Sequence, residues 1–208
     1  MGGFSLVELM LSLSLGLALS GVMLQGLMAD GQNGARFSRL LRERAAQRRT
    51  LELVRHDLAQ ANAVSTTPEL EQHGCGLAGR SAVLHLHTGA GPITYSVGAA
   101  PSAIWRGRVL MRCGPAFALE GELAEGAQAQ NRVVLDALAA DPPLWQGCAD
   151  LLGAGVDGAV DVGLSSRLAF SVCLEPESQA VGMRLVQEFS VGSTGQRSRL
   201  STQMPGAG

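Results

Sequence analysis

The sequence predicts an α+β protein. A long N-terminal helix, apolar and membrane-length in its first half and amphipathic in its second, is expected to pack against an antiparallel β-sheet head. Three observations carry that expectation. Leu9 to Ala29 holds no charged residue, and those positions make roughly 31 Å of helix, enough to cross a bilayer core. From Ala35 to Asn62 apolar residues return at threes and fours. Beyond Pro68, short β-like runs are separated by Gly- and Pro-rich stretches.

Composition bounds the function classes. A chain of 208 residues allows an anchor plus one domain, since removing about 60 N-terminal residues leaves roughly 145, enough for one core. Apolar content of 46% with 16% charged residues excludes a disordered chain and fits a globular head with a membrane segment. The net charge is −2, and every basic residue is arginine. This balance implies no strong electrostatic partner and gives no indication of nucleic-acid binding.

In chain order, one carboxylate, Glu8, stands at the mouth of the apolar run. A charge there is unfavourable unless it is paired, which makes Glu8 a candidate functional residue. Gly16, Gly21 and Gly26 fall every five residues, so a GxxxG dimer motif is not supported, although small residues let helices approach closely. Asp30 to Gly34 (D-G-Q-N-G) is expected to be a soft joint, with a kink at Gly31 and Gly34. The amphipathic half then sets Phe37, Leu40, Leu41, Ala45, Leu51, Val54, Leu58 and Ala61 on one face. Arg36, Arg39, Arg42, Arg49 and Asp57 lie opposite, a basic face open to solvent or to anionic headgroups. Ser65 to Pro68 ends the helix. Strands are expected at Ala82–His87, Ile93–Val97, Ala103–Arg112, Arg132–Leu138, Arg167–Leu174 and Met183–Val191, with a frayed tail from Ser201 to Gly208.

The opening residues G-F-S-L-V-E-L-M, Gly3 to Met10, resemble the processing site of the type IV pilin and pseudopilin superfamily. The resemblance implies a leader at 1–3, a transmembrane and assembly helix at 4–62, and a β-rich head at 63–208. It implies cleavage by a prepilin peptidase between Gly3 and Phe4, N-methylation of Phe4, and pairing of the Phe4 ammonium with Glu8 of a neighbouring subunit in an apolar filament core. Leaving either charge alone there would be costly. Met1-Gly2-Gly3 holds no Lys or Arg, whereas leaders of this family are commonly longer and basic, so the expected start lies upstream. The arginines after the apolar run would by charge alone place the head in the cytoplasm, while the resemblance places it outside. The order of the later runs, from R-H-D-L through I-T-Y-S-V to I-W-R-G-R-V-L-M-R and V-V-L-D, is similar to PilW-type minor pilins and to the J-type pseudopilin of type II secretion.

Four cysteines, Cys75, Cys113, Cys148 and Cys173, occur only in the head, with no CxxC pair. In an extracytoplasmic head two disulfides are the natural expectation. Three connectivities exist, of which Cys75–Cys113 with Cys148–Cys173 joins sequence neighbours, and buried free thiols are the other reading. His85 and His87, two apart on a strand, share a face and with His73 could hold a metal. No Cys or acidic residue sits at a recognised ligand spacing, so no metal is expected. Asp150, Asp157 and Asp161 in a Gly-rich stretch lack the ligand density of a calcium loop. No nucleophile elbow, Walker A, zinc-protease or dinucleotide fingerprint is present, so neither cofactor nor enzymatic activity is expected.

The resulting expectation is a minor pilin, a structural subunit that serves pilus assembly, initiation or the tip complex. Its partners would be other pilin subunits, the prepilin peptidase, the inner-membrane assembly machinery and, before assembly, membrane lipid. It would sit in the inner membrane with its head outside, and then on the pilus or cell surface. The alternatives are a type II secretion pseudopilin, and, from another class, a membrane-anchored or secreted binding protein. A cleaved signal peptide, with weak sites near Ala18 and Ala29, belongs to the latter reading.

Overall fold

A computed structural model of the chain describes residues 5–145, 148, 152, 158–191 and 196–205, of which 27–33, 191, 196, 200 and 203–205 are described by their backbone only. Among the described residues the main elements are α1 (Leu6–Ala59) and the strands β1 (Ala61–Val64), β2 (Ser81–Thr88), β3 (Ile93–Ala99), β4 (Arg108–Gly114), β5 (Gln130–Leu138), β6 (Val160–Asp161), β7 (Phe170–Leu174), β8 (Val181–Val191) and β9 (Gln196–Pro205). The chain divides near residue 43 into an N-terminal helical unit and a head that begins at Arg44.

In the N-terminal unit the span Leu6–Gly26 has a mean hydropathy of 1.9 and no buried residue. Ser12 and Ser14 turn their hydroxyls back onto the Leu9 and Leu11 carbonyls, at 3.0 and 2.9 Å. Both polar groups are thereby satisfied inside the helix, which apolar surroundings require. The expected break at Asp30–Gly34 is not observed, because the backbone is helical through it. A glycine costs a helix only about 1 kcal/mol, too little for two of them to interrupt it.

The head is an antiparallel sheet. Its strands run in the order β1-β2-β3-β4-β5-β8-β7-β6, with β9 on β8. Two meanders, β1–β5 and β6–β8, are thus joined where Leu138 of β5 meets Gln187 of β8. β2 and β7, far apart in that order, also touch, so the sheet curls. Strands β2, β3, β4 and β7 carry long buried runs without alternation, as expected where both faces are covered. One cover is residues 44–59 of α1, which place Leu51, Val54 and Leu58 in a core with Leu84, Tyr95, Leu110, Phe170 and Leu185. Each such side chain contributes about 1.5–3 kcal/mol of burial. Around Leu51, the helix also buries Gln47, Thr50 and Asp57.

Several elements depart from the sequence expectation for local reasons. The helix ends at Ala59, short of Asn62, because Ala61–Val64 pairs with β2 as an edge strand. Ala103–Gly107 is not strand. There the Arg106 backbone N–H and guanidinium both donate to the Asp136 carboxylate, at 3.1 to 3.2 Å, and Gly107 adopts a positive φ of 61°. Arg167–Ala169 is not strand either. Residues Val162–Arg167 form 3-10 turns through left-handed Gly163 and Leu164, and the Asp161 carboxylate holds the Ser165 hydroxyl and Ser166 N–H. The tail is ordered through Pro205 as β9. Arg197 and Arg199, two apart on that strand, both reach Glu188 of β8, and the Thr202 hydroxyl donates to Gln47 Oε1 at 2.5 Å.

Both disulfides form, Cys75–Cys113 and Cys148–Cys173, with Cα–Cα distances of 5.9 and 5.6 Å. The first closes a sequence separation of 38. The Cys75→Ser/Cys113→Ser variant is therefore expected to unfold at lower denaturant, with about 3–4 kcal/mol less stability. A loss below about 1 kcal/mol would mean that this bridge adds little to a head already fixed by its core.

Candidate functional site

The first candidate is the apolar end of α1. Gly3 and Phe4 lie outside the described residues. Glu8 lies in the first turn of the helix, and its backbone N–H donates to the Ser5 carbonyl at 2.9 Å. Beyond it, Leu9, Leu13, Leu17 and Leu24 are all more than half exposed. An isolated soluble helix does not present such a surface. By length and composition the segment Leu6–Gly26 is a membrane span or a signal sequence.

The second candidate lies in the head. The β2–β3 register places His85 opposite Thr94, and His85 Nδ1 lies 2.8 Å from Thr94 Oγ1. The same hydroxyl is 3.2 Å from His73 Nδ1. His87, two residues along β2, stacks its ring edge-on to His85 with centroids 4.9 Å apart. Glu71 closes the group from the segment after β1. Its Oε1 accepts the Ser65 hydroxyl at 2.7 Å and lies 3.8 Å from His87 Nε2. One ligand atom each from Glu71, His85 and His87 falls within 4.8 Å of the others. His85 is buried, Glu71 half-buried and His87 exposed.

The electrostatics suit neutral imidazole beside carboxylate. Burial, and then the neighbouring His87 charge, push the His85 imidazole below its ordinary range. The Ser65 hydrogen bond holds the Glu71 carboxyl below its ordinary range, against a smaller opposing effect of desolvation. The three histidines singled out in the sequence are thus brought together. Glu71 was missed, because nothing at its own position marks it. The pairing of β1 with β2 and the Ser65 N–H to His85 carbonyl bond of 2.9 Å bring its segment to the histidines.

A third polar group is fully internal. The Asp57 carboxylate of α1 accepts Arg112 Nε at 2.7 Å and Nη2 at 3.0 Å from β4, and the Tyr95 hydroxyl at 2.5 Å from β3. Arg112 also donates to the Pro115 carbonyl at 2.9 Å and lies over the Phe117 ring at 4.7 Å. Burial pushes the Arg112 guanidinium down, while the hydrogen bonds and charge of Asp57 push it up, and the net shift is upward. The sequence placed Asp57 on the solvent face, whereas in the fold it is fully buried. This group is enclosed and has no room for a substrate, so it anchors the helix to the sheet.

Among the acidic residues considered for calcium, Asp161 spends its carboxylate on Ser165 and Ser166. Asp150 and Asp157 lie outside the described residues. Residues 6–26 thus form an exposed apolar helix suited to an extracytoplasmic, membrane-anchored protein, in keeping with a disulfide-bonded head. Comparison of the chain with protein-family models, with curated proteins and with solved structures finds no match.

Proposed function

We propose that the chain is a pilin-like filament subunit, a minor pilin made as a bilayer-inserted precursor and cut between Gly3 and Phe4. The observation that carries this reading is the 21-residue apolar span Leu6–Gly26, none of it buried, with the single carboxylate Glu8 in its first turn. A span of that length crosses a bilayer. A lone carboxylate at its head gains most where a cation comes to it, and the Phe4 ammonium of a neighbouring subunit is such a cation. The apolar surface that faces lipid in the precursor then faces other helices in the filament. The sheet head, held to residues 44–59 of the same helix, is the part left to select partners.

A type II secretion pseudopilin would use the same chemistry in a different apparatus. The anchored binding protein differs in needing no cut at Gly3. The two classes separate by mass spectrometry of the mature N-terminus after co-expression with a prepilin peptidase. The expected result is a chain that begins at Phe4 and carries an added methyl group. A chain cut after Ala18 or Ala29, or left uncut beside an active peptidase, would remove the filament reading.

A further inference from the structure

We propose that Glu71, His85 and His87 form a binding site for a divalent transition metal, with zinc the best fit, that ties the segment after β1 to strand β2. The proposal is independent of the filament reading. Two imidazole nitrogens and one carboxylate oxygen are a donor set that suits zinc and its neighbours better than calcium or magnesium, which prefer oxygen alone. The three ligand atoms already lie within 4.8 Å of one another. Around a tetrahedral zinc, ligand atoms sit about 3.4 Å apart. The widest pair therefore needs to close by about 1.4 Å, and exposed His87 has the freedom to supply most of that movement.

The outer contacts favour a built site over a chance surface ion pair. His85 is 1% exposed, and its Nδ1 is engaged by Thr94. When that nitrogen carries the proton and donates it, the Nε2 lone pair is left for a cation. The Ser65 hydroxyl donates to Glu71 Oε1 at 2.7 Å, a contact that orients the carboxylate. The other histidine on Thr94, His73, has a buried Nε2 with no hydrogen-bond partner. The sequence expectation of no metal rested on the lack of an acidic ligand at a recognised spacing, and the fold supplies Glu71 from outside any such spacing. Three protein donors leave a fourth position for water.

The site also makes mechanical sense. The segment from Ser65 to Arg80 has little regular structure beyond the 3-10 turn Pro68–Leu70. Cys75–Cys113 fixes its far half to β4, and a metal on Glu71 would fix its near half to β2.

The test uses the full chain in mild detergent, carrying no histidine tag and stripped with EDTA. Zinc chloride is titrated by calorimetry, and Tm is read with zinc, magnesium and calcium. The expected result is one zinc per chain, with Tm raised by roughly 5 °C or more when zinc is in 100-fold excess over Kd, and no comparable effect of magnesium or calcium. His87→Ala, at an exposed position that the fold does not need, is expected to weaken zinc binding at least about 100-fold while leaving the metal-free Tm unchanged. Thr94→Val, which removes the hydroxyl that meets both His85 and His73, is expected to weaken it about 10–100-fold. Zinc binding that is far below one per chain, or that survives both His87→Ala and Glu71→Gln, would overturn the proposal. An equal response to calcium would overturn it too.

Discussion

Asp57→Ala is expected to lower the stability of the protein by about 3–5 kcal/mol, a fall in Tm on the order of 10 °C. The change leaves the Arg112 guanidinium buried with no counter-charge. That side chain is 5% exposed in the intact pair, and Asp57 is 0% exposed. It also leaves the Tyr95 hydroxyl without its acceptor. Breaking such a pair costs far more than the pair itself contributes, because one charge remains desolvated. The Asp57→Leu/Arg112→Met double variant is therefore expected to recover most of the loss. Tyr95→Phe, which leaves the ion pair intact, should cost only about 1 kcal/mol. Denaturant unfolding of the full chain in mild detergent measures all three. A loss below about 1 kcal/mol for Asp57→Ala would mean that the apolar packing of Leu51, Val54 and Leu58 and the other polar contacts of α1 hold it to the sheet without this ion pair.

The same group predicts the alkaline behaviour. Burial, and then the Asp57 charge, hold the Tyr95 phenol well above its ordinary value. Its folded pKa is raised, so its contribution is complete below the unfolded value of about 10 and is lost as pH rises above that. A Tyr95→Phe chain should lack this alkaline component of unfolding.

Glu8→Ala is expected to abolish incorporation into filaments while leaving the precursor inserted and cut. This follows from the proposed filament role. An ammonium left unpaired in an apolar helix bundle costs about 3–5 kcal/mol, and each 1.4 kcal/mol is a factor of about ten in association. The fraction of chain in sheared filaments should therefore fall by about 100-fold or more, with the membrane fraction intact. Glu8→Gln, which keeps the shape and loses the charge, should fail alike. Normal filament yield from either variant would end the charge-pairing account, even if the N-terminus began at Phe4.

What the sequence by itself determined was periodic or compositional. The uncharged run from Leu9 to Ala29, the helical spacing of Leu51, Val54 and Leu58, and the runs around β2, β3, β5 and β8 each carry their signal within a few residues, because burial of one face repeats with the period of the element. The β-sheet head on the second half of the helix follows from those patterns, and the even count of cysteines outside the apolar run pointed to disulfides.

What only the tertiary structure decided was wherever a polar residue found a distant partner. Asp57 reads as solvent-facing beside the arginines until Arg112 and Tyr95, from strands far along the chain, meet its carboxylate. Glu71 is unmarked until the edge strand brings it to His85 and His87. Ala103–Gly107 reads as strand until Asp136 draws Arg106 out of it, and Ser201 to Pro205 reads as frayed until β9 pairs with β8 and Thr202 meets Gln47. Hydrophobic burial is a property of each residue summed along the chain, whereas an ion pair or a ligand set exists only between residues that the fold has already brought together. That is why the scaffold was legible in one dimension, whereas the candidate metal site was legible only as its two strand histidines and not as a set with Glu71.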